Sequence, residues 1–78
     1  KGKRECDFIY RNEKNKLSAI QVSWELGLNN ERREVEGLYE AMKELDLDEG
    51  IIITYNQEDK IIKDDKKIEI LPAWKWMG

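Results

Sequence analysis

Hydrophobic and polar residues keep a different period in each segment of this chain. Residues 7–11, Asp-Phe-Ile-Tyr-Arg, are rich in aromatic and β-branched types, and the polar Asn-Glu-Lys-Asn-Lys that follows reads as a turn. Over residues 17–26 the types alternate, with Ala19, Gln21, Ser23 and Glu25 on one side and Ser18, Ile20, Val22, Trp24 and Leu26 on the other. A period of two predicts a strand, paired with the first as a hairpin, and it puts Gln21, Ser23 and Glu25 on one face. Beyond Gly27-Leu28 the period lengthens. Asn29-Asn30 offers an N-cap, and Glu31 and Glu34 suit the positive end of a helix dipole. Val35, Leu38, Met42 and Leu45 recur at spacings of three, four and three, with Tyr39 and Ala41 widening the stripe, so a helix is predicted over 30–46. Leu47-Asp48-Glu49-Gly50 is expected to end it, Gly50 supplying a permissive backbone.

The second half is β-rich. Ile51-Ile52-Ile53-Thr54-Tyr55 has no amphipathic period and reads as a central strand buried on both faces, pairing parallel after the crossover helix. Lys60-Ile61-Ile62-Lys63 and Lys67-Ile68-Glu69-Ile70-Leu71 flank the polar Asp64-Asp65-Lys66, which predicts a hairpin. Pro72 limits the last pairing, and Ala73-Trp74-Lys75-Trp76 alternates two indoles with a Lys. The predicted architecture is α/β: a mixed sheet in the order β-β-α-β followed by a C-terminal β-hairpin, as one module over residues 1–78. No internal repeat, low-complexity tract or linker interrupts it.

Composition narrows the chemistry. The chain has no His, one Cys (Cys6), two Ser (Ser18, Ser23) and a lone Thr (Thr54). A Ser-His-Asp or Cys-His arrangement needs an imidazole base, and a structural zinc site needs four Cys or His ligands, so neither can be built from these residues. Chemistry here has to rest on carboxylates, Lys or Arg, or a hard metal held by oxygen. The longest aliphatic run, Ile51-Ile52-Ile53, is far short of the roughly 20 residues that span a bilayer. With a single Cys and no signal-peptide pattern, the cytoplasm is the expected compartment and no membrane partner is expected. The opening at Lys1 without a Met reads as a fragment of a longer protein. The net charge of −3 hides a gradient: residues 1–16 carry a net +3 and residues 31–49 a net −5. Six basic groups interrupted by acids make a weak nucleic-acid footprint, and a solvated basic edge is the plain alternative.

One constellation could carry chemistry. Glu5 and Asp7 sit two apart at the start of the first strand and can converge on one side, opposite Gln21 and Ser23 on the second. Adjacent strands lie roughly 4.8 Å apart, so two carboxylates and an amide oxygen could surround a hard divalent ion such as Mg²⁺. Such an ion polarises a phosphodiester and lowers the pKa of bound water without a His. Glu5, Asp7 and Gln21 are therefore the candidate catalytic and metal-binding residues. The structural alternatives are plain ones. Glu5 and Asp7 beside Lys3, Arg4 and Arg11 form an ion-pair cluster, Gln21 bonds its neighbours, and Glu25 is either a fourth ligand or a cap for the helix. Cys6 lies between two acids, which disfavours a thiolate, and reads as an inert thiol. Trp74 and Trp76 could stack on bases, but a terminal indole pair is expected to pack.

These residues carry a resemblance. The strand Glu5-Cys6-Asp7-Phe8-Ile9, a turn, the strand Ala19-Ile20-Gln21-Val22, then a helix and an aliphatic strand resemble the core of the restriction-endonuclease-like PD-(D/E)XK superfamily. Arg4-Glu5-Cys6-Asp7-Phe8, Ile20-Gln21-Val22-Ser23, Glu34-Val35-Glu36-Gly37-Leu38 and the ending Leu71-Pro72-Ala73-Trp74-Lys75-Trp76 resemble, more closely, the C-terminal domain of a group of prokaryotic P-loop (AAA+) ATPases. The resemblance implies that Asp7 takes the place of the metal-binding Asp, Glu5 that of an additional acid and Gln21 that of the motif's Glu. Ser23 stands where the motif has a Lys, so Lys16 or Lys3 would have to reach in. Losing one preorganised charge costs orders of magnitude in rate. The resemblance therefore implies a nuclease-fold accessory domain, degenerate in catalysis and kept for nucleic-acid or protein contact. An active Mg²⁺-dependent DNA endonuclease and a purely structural assembly module are the alternatives. Its implied partners are DNA, the rest of the ATPase chain and a second copy. No Walker motif is present, so ATP would bind only outside this chain.

Overall fold

The structure, a computed structural model, describes residues 8–77. Its elements run β1 (Phe8–Arg11), β2 (Leu17–Val22), α1 (Glu31–Leu45), β3 (Glu49–Thr54), β4 (Asp59–Lys63), β5 (Lys66–Pro72) and α2 (Ala73–Met77). The strands form one mixed sheet in the spatial order β1-β2-β3-β5-β4. This is the expected β-β-α-β unit followed by a β-hairpin, with a short terminal helix added.

Each connection has a local cause. Between β1 and β2, the Asn12 side chain accepts the Lys14 and Lys16 amides at 2.9 and 3.0 Å while Asn15 takes a left-handed conformation (φ 66°). Asn tolerates that region better than most residues, which fits a tight hairpin. Asp64 and Asp65, both at positive φ (52° and 69°), make the two-residue turn between β4 and β5. Two consecutive left-handed residues match the twist of paired strands. The β2–α1–β3 crossover sets β3 parallel to β2, with Ala19 opposite Gly50 and Gln21 opposite Ile52. On its other side β3 runs parallel to β5, with Gly50 opposite Ile68 and Ile52 opposite Ile70.

These registers put Ala19, Gln21, Gly50, Ile52, Ile68 and Ile70 on one face, and α1 lies over it. The helix buries Leu38, Tyr39, Ala41 and Met42, the stripe expected from the spacing. Leu38, Met42, Ile52 and Ala19 are wholly buried, so each large aliphatic among them contributes about 1.5–3 kcal/mol. Gly50 serves this packing rather than the helix end. A Cβ there would lie 2.6 Å from Met42 Sδ and 3.0 Å from Leu38 Cδ2. The helix ends instead at Asp46, in the left-handed conformation (φ 60°, ψ 46°), its amide facing the carbonyls of Lys43 and Met42.

Two further differences from the sequence reading concern ends of elements. β2 stops at Val22, although the alternation continues to Leu26; Ser23 N still donates to Ile53 O and Tyr55 N to Trp24 O, both at 2.9 Å. The Ala73–Met77 segment, to which the sequence assigned no element, is helical. At about 100° per residue, Trp74 and Trp76 then point to opposite sides. Trp76 meets Tyr10 edge to face at 5.1 Å, the packing expected of the indoles, whereas Trp74 stays 63% exposed. Among the described residues no helix is long and apolar enough to cross a membrane.

Candidate functional site

Gln21 lies one residue before the carboxyl end of β2, on the face covered by α1, and is half-buried. Its Nε2 donates to Glu34 Oε1 at 3.1 Å. Its Oε1 is buried and has no hydrogen-bond partner among the described residues. A buried acceptor without a donor costs about 1–3 kcal/mol, so such an atom calls for an explanation.

Glu34 reaches Gln21 because of where α1 begins. The connection over residues 23–30 is tied down before the helix starts. Gly27 N donates to Asn30 Oδ1 at 2.7 Å and Asn30 Nδ2 donates to Glu25 O at 2.9 Å. Asn30 holds the N-cap position, but its side chain staples this loop and makes no cap bond to the helix. Glu34 then falls in the first turn, where the positive end of the helix favours a carboxylate. Its side chain is only 16% exposed, and its Oε2 lies 4.0 Å from Arg33 Nη2. The result is a series of amide, carboxylate and guanidinium running from β2 to the start of α1.

The sequence candidates fare differently. Gln21 is in place. Glu5, Asp7 and Cys6, with Lys3 and Arg4, lie outside the described residues. Ser23 follows the end of β2, half-buried, its amide on Ile53 O. Glu25 is exposed on the connection, and the strand that would have carried it along Gln21's face ends at Val22. Lys16 precedes β2, about 16 Å along the strand from Gln21, which is too far for one side chain to replace the motif's Lys. Glu34 and Arg33 are the residues that sequence reasoning missed. Glu34 was visible as a first-turn acid, but contact with a strand residue 13 positions earlier has no local signal.

Chemically, the unpartnered amide oxygen and the adjacent carboxylate are hard oxygen donors of the kind Mg²⁺ takes. Among the described residues no group of three or more His, Cys, Asp or Glu side chains gathers to hold a metal.

A second feature lies at the same end of the sheet. Trp24 and Tyr55 follow the carboxyl ends of β2 and β3, their ring centroids 5.4 Å apart and tilted by 46°. They are 56% and 61% exposed. Beneath them the Gln57 side chain clamps the connection, accepting Leu26 N at 2.8 Å and donating to Leu26 O at 2.7 Å. Buried Thr54 fixes Gln57 in turn, its Oγ1 accepting Gln57 N at 2.9 Å and donating to Gln57 O at 3.0 Å. The rings border a groove of about 640 Å³.

Over 78 residues the chain is 46% identical to the uncharacterized protein MJ1544 of Methanocaldococcus jannaschii. The match covers 92% of this chain and 17% of that protein, so the chain spans about a sixth of the relative's length. No family model matches the chain, and no solved structure matches it.

Proposed function

We propose that this chain is a nuclease-fold accessory module of a larger P-loop ATPase, degenerate in catalysis and used to hold nucleic acid. The fold supports the reading at the level of topology. A hairpin, a crossover helix and a parallel central strand occur in the order that a restriction-endonuclease-like core requires. The observation that carries it is the buried, unpartnered Gln21 Oε1 beside the Glu34 carboxylate. An oxygen left without a donor in a protein interior suits a cation. On this reading Gln21 and Glu34 hold a divalent ion together with Asp7 and Glu5. Asp7 directly precedes Phe8, which is paired with Ile20, the neighbour of Gln21. When bound, the ion would neutralise charge on a phosphodiester oxygen.

The same residues account for the degeneracy. Position 21 offers a neutral oxygen where the motif has a carboxylate, and position 23 offers Ser where it has Lys. The nearby cation, Arg33, lies on the helix with its side chain 70% exposed. A mobile, solvated guanidinium stabilises developing charge less than a preorganised one does.

Thermal melting with and without divalent metal tests the reading. An ion of Kd about 1 mM, supplied at about 10 mM, stabilises the folded chain by about 1.4 kcal/mol. For a domain of this size that raises Tm by roughly 5–10 °C. The shift is expected to vanish in Asp7→Ala, Gln21→Ala and Glu34→Gln. A melting temperature indifferent to Mg²⁺ and Mn²⁺ would count against the metal site. Metal-dependent nicking of plasmid DNA would overturn the degeneracy.

A further inference from the structure

Trp24 and Tyr55 are two large rings, in contact with each other and more than half exposed, at the rim of a groove. Scattered exposed apolar residues are ordinary, but a paired set on a fixed floor is a feature to be explained. The backbone bond from Tyr55 N to Trp24 O holds the two rings on neighbouring chain segments. The clamp of Gln57 on Leu26, itself fixed by Thr54, immobilises the floor. Binding to such a surface costs little ordering. The carboxyl ends of parallel strands are also where open α/β sheets place their ligands.

The groove beside these rings continues along α1. It shares Leu28 and Asn29 with a second groove of about 870 Å³. Arg32, Arg33, Lys43 and Lys63 line that second groove. Arg32 and Arg33 are 89% and 70% exposed, each beside a carboxylate, Glu36 at 3.3 Å and Glu34 at 4.0 Å. Glu36, Glu40 and Asp64 line the same stretch and Glu25 the first, so cations and acids are close to balance.

That balance selects the ligand. A duplex shows a protein its phosphates while its bases stay stacked inside, and phosphate attraction alone is weak where acids offset the basic groups. An unpaired strand adds base stacking on the two rings, which does not depend on net charge. We propose that this continuous groove binds single-stranded nucleic acid, with unpaired bases on Trp24 and Tyr55 and the adjoining phosphates on Arg32 and Arg33. The proposal rests on the nucleic-acid reading above and specifies the form of strand.

Fluorescence anisotropy of labelled oligothymidylate and of a hairpin duplex, titrated with the 78-residue chain in EDTA at low salt, tests it. The single strand is expected to bind at least about tenfold more tightly than the duplex, and Trp24→Ala and Tyr55→Ala each to weaken it by about 5- to 100-fold. Trp24→Phe, which keeps a ring, should retain most of the affinity, and Trp24→Ala should melt with the parent chain. Arg33→Gln should flatten the slope of log affinity against log salt by about 0.7. Equal binding of both forms, or unchanged binding by Trp24→Ala, would overturn the proposal. So would self-association that depends on Trp24 without oligonucleotide binding, which would assign the rings to a protein contact. Because EDTA removes the divalent ion, the two readings fail separately. Oligonucleotide binding without a metal-dependent Tm shift sinks the metal site alone, and the shift without binding sinks this groove alone.

Discussion

Placing an acid at position 21 is the sharpest perturbation of the site. In Gln21→Glu the donor to Glu34 becomes a second carboxylate, at a place where the present amide nitrogen is 3.1 Å from Glu34 Oε1. A charge-assisted hydrogen bond worth about 1.5–3 kcal/mol is lost. Two like charges about 4 Å apart at an effective dielectric of 20 repel by roughly 4 kcal/mol. Rotation of Glu34 toward the neighbouring Arg33 relieves part of this, leaving a net destabilisation of about 2–4 kcal/mol. That is a large fraction of the roughly 4–12 kcal/mol expected for a chain of this size. The variant should therefore melt about 10 °C or more below the parent at pH 7 without metal.

The sign with pH follows. In the folded variant the crowded pair holds a proton more tightly than in the unfolded chain. The deficit is full only above the pair's raised value, and it fades as pH falls from there to the ordinary carboxylate range. Millimolar Mg²⁺ should also restore the variant, and by more than it stabilises the parent. Adding Glu34→Gln to Gln21→Glu exchanges the two partners and should recover most of the loss without metal, giving a coupling energy by double-mutant cycle. If Gln21→Glu melted with the parent and ignored both pH and Mg²⁺, Glu34 would not be confined beside position 21 and the site would not exist as described.

Three further outcomes test other parts of the structure. Gly50→Ala drives a methyl group into Met42 and Leu38, both wholly buried, and should cost about 1–3 kcal/mol in chemical denaturation; a neutral result would mean that the α1–β3 contact is looser than 2.6 Å implies. Asp46→Gly relieves a left-handed non-glycine residue at the end of α1 and should stabilise by about 0.5–1 kcal/mol, measured the same way. Tyr39 donates to Asp64 Oδ2 at 2.7 Å, and this bond, with burial and the negative charges of Asp64 and Glu40, raises the phenol's pKa above its ordinary value of about 10. The stabilisation it brings is whole below pH 10 and is lost as pH rises through the raised value; ultraviolet titration of Asp64→Asn, read against Tyr39→Phe, should return the midpoint toward 10.

What could be read in the sequence was whatever has a short period. Alternation in β2, the three-four-three stripe of α1, the β-branched run of β3 and the Asp64-Asp65 turn are local signals, and each marks an element that forms there, although β2 ends four residues short of its alternation. The misses came from residues whose local and tertiary roles differ. Gly50 looks like a helix stop, yet its missing Cβ makes room for Met42 while Asp46 turns the chain. The alternation of Ala73-Trp74-Lys75-Trp76 assigned no element to these residues, and the helix they form begins directly after Pro72, the last residue of β5. Glu34 looks like a dipole partner, which it is, and its second role depends on a crossover that brings residue 34 back over residue 21. Of the proposed metal ligands, Gln21 was legible as an oxygen on the second strand. Its isolation from other donors emerged only from packing.

Local rules hold through most of this fold, and two of their exceptions lie close together. The core face is apolar and filled, the turns use residues that tolerate left-handed backbone, and the edge strand β4 is guarded by Lys60 and Lys63. Against that background an orphaned buried acceptor at Gln21 and an exposed ring at Trp24 lie three residues apart, at the carboxyl end of one strand. Neither helps the chain to fold: the first costs desolvation without a bond, and the second forgoes burial that a large indole could have had. Sequences tend to break consistency where a ligand repays it. On the two proposals above, one of these features takes a cation and the other a planar base, which is why both are assigned to a single phosphate-bearing polymer and not to a protein surface, which would use only the second.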